Sequence, residues 1–188
     1  MAKQSYEDNR NRLAKIQMIG EKMFQIIIGQ VEQQLVKKSP IVGTIFIVVD
    51  EVPFPSENWS DFPVTVLTAW TKEVGRAISE TKKGVFFFFD GPFLIKFEGC
   101  GNQLEMYGTS YEEGLELSCI PEEKKGLYFN LCLYDFLTEL KEAIDKLFVC
   151  IKGKASVREY FDLRRAKKEI RLLINNFDSE DRQRVKLY

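Results

Sequence analysis

The chain has 188 residues, of which 45% are hydrophobic and 29% charged, a composition typical of a folded globular domain. Its 27 basic and 28 acidic residues leave a net charge of −1, which argues against a protein that binds polyanions over its whole surface. There is no histidine, so Ser-His-Asp and Cys-His nucleophile pairs and His-containing zinc sites are excluded.

Length and patterning predict one α+β domain over residues 1–188. Residues 1–22 are polar with sparse apolar positions and are expected to form a loose N-terminal arm, and residues 178–188 a frayed tail. No run of about 18 apolar residues exists, so no membrane span is predicted. The polar N-terminus does not resemble a signal peptide, which favours a cytoplasmic location.

The first part of the chain is predicted to form strands. Residues 23–31 fit either a helix or a strand, and the strand is favoured because a turn at 37–40 leads into the β-rich run 43–49. Residues 52–56 contain two prolines, which cannot donate to a sheet ladder, so this segment is expected to end the second strand.

A helix is predicted next, with Ser60 or Asp61 as its cap and Pro63 in its first turn. Apolar residues spaced by three and four then form one stripe, which ends at Ala77 and Ile78.

Further strands are predicted after this helix. Residues 85–89 are apolar on both faces, which indicates a central strand, and the Asp90-Gly91 turn makes 93–97 its hairpin partner. The remaining strands are expected at 103–107, 115–120 and 126–129, with a turn at 108–110.

Two more amphipathic helices are predicted, over 134–151 and 157–175. The inward residues of the last helix are expected to be Val157, Tyr160, Phe161, Ile170, Leu173, Ile174 and Phe177. Because strands come in adjacent runs, the fold class is predicted as α+β, an antiparallel meander of five to seven strands packed against two or three amphipathic helices.

No catalytic, cofactor-binding or metal site is predicted. The four cysteines lack the close pair of a zinc or redox site, so they are interpreted as reduced, buried apolar residues: Cys100, Cys119, Cys132 and Cys150. Asp50, Glu51 and Asp90 are the acids considered for catalysis, and each has a simpler explanation at a strand end or a turn.

Charge is unevenly distributed along the chain. Residues 101–150 carry ten acids and four bases, and residues 151–188 carry eleven bases and six acids. The acidic cluster around the predicted turns has two interpretations, an ordinary solvated face and a surface that contacts a basic partner. The candidate partner-binding residues are Glu105, Glu112, Glu113, Glu116, Glu122 and Glu123.

The basic cluster on the last predicted helix has two interpretations, nucleic-acid binding and ordinary pairing at i,i+4. Pairing is favoured because three acids, Glu159, Asp162 and Glu169, are interleaved with the bases. The basic residues are Arg158, Arg164, Arg165, Lys167, Lys168 and Arg171.

Two motifs carry a resemblance to known proteins. Residues 58–67 read Asn-Trp-Ser-Asp-Phe-Pro-Val-Thr-Val-Leu and are followed by Trp70, and residues 89–92 read Phe-Asp-Gly-Pro. This resembles small bacterial proteins in which a WxDFPxxVLxxW-like helix precedes a strand ending in an FxDGP-like turn. Such proteins are similar to the immunity proteins of polymorphic or contact-dependent toxin systems. The resemblance spans about residues 58–150 and implies no catalytic residues.

The leading hypothesis is therefore a cytoplasmic immunity protein that neutralises a cognate bacterial toxin by occluding its active site. A nuclease domain is the partner considered, because its active face must be basic to hold phosphates. The alternatives are a small carboxylate- or cysteine-dependent enzyme and a non-catalytic structural or regulatory module that forms a homodimer. Neither a membrane nor a nucleic-acid partner is predicted.

Overall fold

The computed structural model describes residues 24–32, 40–110 and 127–185, with side chains described as far as residue 177. The elements of this part, in chain order, are β1 (Phe24–Val31), β2 (Gly43–Val49), β3 (Val52–Phe54), β4 (Ser60–Asp61), α1 (Pro63–Arg76), β5 (Lys83–Phe87), β6 (Phe93–Cys100), β7 (Gln103–Ser110), β8 (Leu127–Cys132), α2 (Leu133–Cys150) and α3 (Val157–Val185). A π-helical turn, Ala77–Thr81, continues α1. The predicted α+β class is confirmed, and so is the choice of a strand for β1.

The strands form two four-stranded antiparallel sheets. In sheet 1, β2 pairs with β1 along one edge and with β3 and β4 along the other. In sheet 2, β5, β6, β7 and β8 are neighbours in chain order. The predicted count of five to seven strands is too low, since the described residues alone contain eight.

One of the unpredicted strands, β3, contains the proline that was expected to end its predecessor. Asp50 and Glu51 have φ values of 47° and 69°, and this two-residue turn places Val52 opposite Val49. Because β3 lies at the edge of sheet 1, the missing N–H of Pro53 removes no bond from the interior of the ladder. The chain therefore folds back on β2 where it was predicted to leave the sheet.

Strand β5 was expected to be central, and this prediction is wrong. It forms the edge of sheet 2 and, of the described strands, pairs with β6 alone. Phe86 and Phe88 are buried, but Phe87 is half-buried and Phe89 is 46% exposed. Helix α1 packs on β5 and covers one face of this strand. The sequence pattern predicts that both faces of the strand are covered.

A cluster of aromatic rings joins both sheets to the helices. Phe86 of β5 stacks on Phe97 of β6 at 4.3 Å between centroids and on Phe136 of α2 at 5.0 Å. Trp70 of α1 lies 5.3 Å from Phe86, and Phe24 of β1 lies 5.8 Å from Phe136. Phe86 therefore occupies the point where α1, α2 and sheet 2 meet.

Strand β7 continues through Ser110, so the predicted turn at 108–110 is wrong. Gly108 has a different reason to be glycine: a Cβ there would lie 3.0 Å from the ring of Phe54, which shows that β3 packs closely against sheet 2. The strands predicted at 103–107 and 126–129 correspond to β7 and β8. The predicted arm at 1–22, most of the turn at 37–40 and the strand at 115–120 lie outside the described residues.

Helix α1 begins at Pro63 as predicted, but neither predicted cap is used. Ser60 and Asp61 belong to β4, and the N-cap residue is Phe62, which makes no side-chain capping bond. Helix α2 closely matches its predicted range, and Gly153, with φ of 77°, follows its end. None of the described helices is both long and apolar enough to span a bilayer.

Helix α3 is longer than predicted and has a different inward face. It continues ten residues beyond the expected end, to Val185. Its buried residues are Leu163, Ala166 and Ile170. With the helix rotated in this way, three residues that were predicted to face inward are exposed: Val157, Tyr160 and Phe161. The apolar residues near the start of the helix had been assigned to the wrong face.

An acidic side chain links α2 to α3. Lys167 Nζ lies 2.5 Å from Asp145 Oδ1, and Lys141 Nζ donates to Asp145 Oδ2 at 3.2 Å. Partial burial acts to raise the pKa of Asp145, but hydrogen bonding and charge attraction from the two ammonium groups lower it by more, so the pKa lies below its ordinary value.

This lowered pKa predicts a pH-dependent stability. Asp145 contributes stability above its unfolded pKa of about 3.9, and the contribution is lost as pH falls through the lower folded value. We expect Asp145→Asn to reduce the free energy of unfolding by up to about 1 kcal/mol at neutral pH, because the site is partly solvated. Urea unfolding of both proteins should show the difference shrinking below about pH 4. A difference that stays constant down to about pH 2 would contradict this.

Candidate binding surfaces

The two motif segments that carry the resemblance pack against each other. Asp61 Oδ2 accepts a hydrogen bond from the Phe89 backbone N–H at 2.8 Å. At Gly91, with φ of 154°, a Cβ would lie only 2.7 Å from the Trp59 ring, so glycine is required there. Trp70 Nε1 donates to the Phe87 carbonyl at 3.0 Å. These contacts tie the start of α1 to the β5–β6 hairpin, which is a structural role.

Asp61 is a buried residue whose role the sequence did not reveal. Its side chain is fully buried, and Oδ1 accepts from the Phe62 N–H at 2.6 Å while Oδ2 accepts from Phe89. The sequence signal was an acid just before Phe62 and Pro63, and that pattern indicates a helix cap equally well. Only the tertiary structure shows that this carboxylate joins two distant segments.

Of the six glutamates predicted to bind a partner, Glu105 is the one that the structure describes. It lies in β7 and is half-buried, and its neighbours Leu104 and Met106 are buried on the opposite face of sheet 2. The other five lie outside the described residues: Glu112, Glu113, Glu116, Glu122 and Glu123.

Glu105 belongs to a polar row that crosses sheet 2. Its partners in register are Glu98 of β6 and Asn130 of β8, and Lys83 of β5 lies beyond Glu98. Lys83 Nζ pairs with Glu98 Oε2 at 3.0 Å, and both side chains are solvent-exposed. The row holds two acids and one base on the same face of the sheet, so it carries a net negative charge.

The five other glutamates lie in the connection from β7 to β8, residues 111–126. The segment also contains Lys124 and Lys125, so its net charge is −3. Gly108 and Leu127 are partners in register, so the described strands hold the two ends of the connection side by side. Glu105 precedes it by a few residues on the same strand.

The acids considered for catalysis occupy two separate turns. Asp50 and Glu51 form the β2–β3 turn, and Asp90 lies in the β5–β6 connection, where it is exposed. No group of three or more potential metal ligands is found among the described residues. Three cysteines are free thiols, Cys100 exposed and Cys132 and Cys150 half-buried; Cys119 lies outside the described range.

A charged groove of about 690 Å³ separates α1 from α3. Arg76 donates to Glu73 at 2.7 Å, which lowers the pKa of Glu73 and raises that of Arg76. Glu73 also accepts from the Val85 N–H at 3.0 Å. On the α3 side, Glu159 accepts from the Ile41 N–H at 2.7 Å. The hydrogen bonds of Glu73, Arg76 and Glu159 thus join neighbouring parts of the domain, which indicates a structural role for these side chains.

Comparison of the chain with protein-family models, with curated protein sequences and with solved structures gave no significant match.

Proposed function

We propose that the chain is an inhibitory binding protein of the immunity type, which neutralises a basic bacterial toxin by covering its active face. The observation that carries this proposal is the concentration of five glutamates in one connection, whose ends are held at neighbouring strands of sheet 2. Strand β7, which leads into this connection, also carries Glu105 of the polar row.

The placement of this charge favours a partner surface over a structural role. A segment inserted between two paired strands can carry contact residues without disturbing the ladder that holds it. Electrostatic attraction between an acidic and a basic surface speeds encounter and favours the correct partner. A nuclease domain suits this chemistry because its active face must attract phosphates.

The proposal is tested with the product of the gene adjacent to the one encoding this chain. The two proteins are co-expressed with a tag on this chain, and the complex is isolated and assayed for toxin activity. A stable complex of fixed stoichiometry in which the toxin is inactive is expected. A neighbouring product that shows no binding, or that stays active when bound, would overturn the proposal.

Charge reversal within the connection should act on binding rather than on folding. Glu112→Lys with Glu113→Lys is expected to slow association with the toxin by about tenfold at low salt and to flatten its salt dependence, because such charges act mainly through the association rate. Thermal stability should be nearly unchanged, because the connection joins two paired strands and is not part of their ladder. Stopped-flow association across a salt series measures the effect.

A matched control separates local charge from net charge. Glu57→Lys with Glu80→Lys changes the net charge by the same amount at exposed positions outside the connection. We expect this control to bind nearly as fast as the wild type. Equal slowing in the two double variants would show that the connection is an ordinary solvated segment.

A further inference from the structure

The outward side of α3 exposes large apolar side chains. Val157 is 74% exposed, Phe161 59% and Leu172 53%. They lie at spacings of four and eleven residues, so they fall on one side of the helix. The buried residues, Leu163 and Ile170 among them, lie on the other side. We call this outward side the α3 outer face, comprising Val157, Phe161, Arg164, Arg165, Lys168, Arg171 and Leu172.

The four bases of the α3 outer face are exposed and, within the part of the chain whose side chains are described, form no ion pair. Arg164, Arg165, Lys168 and Arg171 are all exposed. The ion pairs seen on α3 involve other bases: Arg158 approaches Asp162 at 3.8 Å, and Lys167 pairs with Asp145. The i,i+4 pairing expected from sequence therefore does not neutralise this face.

The three acids within residues 157–177 of α3, the part of the helix whose side chains are described, lie on a different side of the helix. Glu159 accepts from the Ile41 N–H. Asp162 lines the groove beside α1. Glu169 lies close to α1, since a Cβ at Gly75 would be 3.5 Å from Glu169 Oε1. All three acids are half-buried. Within residues 157–177 the acids thus face the domain while the four bases of the outer face point outward, so this part of α3 presents a net positive surface although its sequence mixes both signs.

We propose that the α3 outer face binds an acidic protein segment that presents apolar side chains between its carboxylates. Aromatic and arginine side chains are the residues most enriched in protein interfaces, where an apolar centre is surrounded by a polar rim. Here Phe161 and Leu172 supply two apolar contacts, and the four bases of the face lie between and beside them. An acidic partner supplies the complementary charge.

Three other occupants fit this face less well. A phosphate backbone would meet the bases but leave Phe161 and Leu172 without apolar partners. A bilayer would have to accommodate Lys168, which lies between Phe161 and Leu172 along the helix. A second copy docked symmetrically through α3 would bring like charges together. The inference goes beyond the proposed function, because the acidic β7–β8 connection calls for a basic partner and this face for an acidic one.

The test uses the full chain and a fluorescein-labelled helical peptide with Glu and Leu alternating along one face, followed by fluorescence anisotropy. The peptide is expected to bind the wild type, more weakly as salt is raised. R164E with K168E should weaken binding by about tenfold or more, and F161S with L172S should weaken it at both low and high salt.

A matched control, K72E with K146E, changes the net charge equally at exposed positions of α1 and α2 and should bind like the wild type. A peptide with Lys in place of Glu should not bind. The proposal is overturned if the acidic peptide does not bind the wild type, or if R164E with K168E binds it as tightly as the control. It is also overturned if a DNA duplex or vesicles containing phosphatidylserine bind this face more tightly than the peptide, or if sedimentation shows that α3 is covered by a second copy.

Discussion

Replacing Phe86 with alanine is expected to lower the free energy of unfolding by about 3–5 kcal/mol, the range for a large aromatic side chain truncated in a core. Phe86 is fully buried and stacks on Phe97 and Phe136 while also contacting Trp70. Its removal would open a cavity where α1, α2 and sheet 2 meet, and rigid elements on three sides cannot close it. Urea unfolding followed by tryptophan fluorescence measures the change.

Phe89 provides the matched control for this substitution. It is the same residue type three positions along the chain, but it is 46% exposed. Its backbone N–H, which donates to Asp61, is kept in alanine. We expect Phe89→Ala to cost less than about 1 kcal/mol. Similar losses for both variants would show that this account of the edge strand and its buried face is incorrect.

Replacing Asp61 with alanine is expected to cost about 1–3 kcal/mol, because a fully buried donor left without an acceptor costs about 1–3 kcal/mol and the donors here are partly buried. Two backbone N–H groups, those of Phe62 and Phe89, would lose their acceptor. Since these donors lie 27 residues apart, the substitution would weaken the link between the start of α1 and the β5–β6 hairpin. Equilibrium unfolding of purified protein checks the prediction.

Two further variants make the Asp61 result interpretable. Asp61→Asn preserves the shape but offers one accepting oxygen in place of two, so it should fall between the wild type and Asp61→Ala. Asp90→Ala removes an exposed carboxylate of the neighbouring turn and should have little effect. If Asp61→Ala were as stable as Asp90→Ala, the hydrogen bonds that Asp61 accepts could not be holding the two segments together.

Local sequence signals predicted the helices and strands well wherever the spacing of apolar residues or a turn motif favours one structure. Helix α1 was indicated by Pro63 and a stripe through Trp70 and Val74, and most of that stripe is buried. The Asp90-Gly91 turn correctly paired the strands on either side of it. In these places the local pattern and the tertiary packing favour the same structure.

The errors arose where long-range packing decides between locally equal choices. Pro53 is compatible with an edge strand, but an edge position depends on which strands pair. Gly108 indicates a turn locally, yet it lies inside β7, where it leaves room for the ring of Phe54. The first apolar residues of α3, such as Phe161, fit an inward stripe until Leu163 and Ile170 fix the helix phase.

The charged residues also show what the sequence alone can and cannot predict. The sequence localised an acidic segment and a basic helix. It could not show that the described acids of α3 face the domain while Arg164 and Lys168 face outward, because that depends on how the helix is rotated against its neighbours. The candidate surface on α3 therefore became visible only in the folded chain.

The most direct test of the proposed function is inhibition of the adjacent gene's product by this chain in a titration of toxin activity. Complete inhibition is expected near a one-to-one ratio for the wild type and for E57K with E80K. Inhibition by E112K with E113K should need a higher concentration, most clearly at low salt. Full toxin activity in the presence of excess wild-type chain would contradict the central claim.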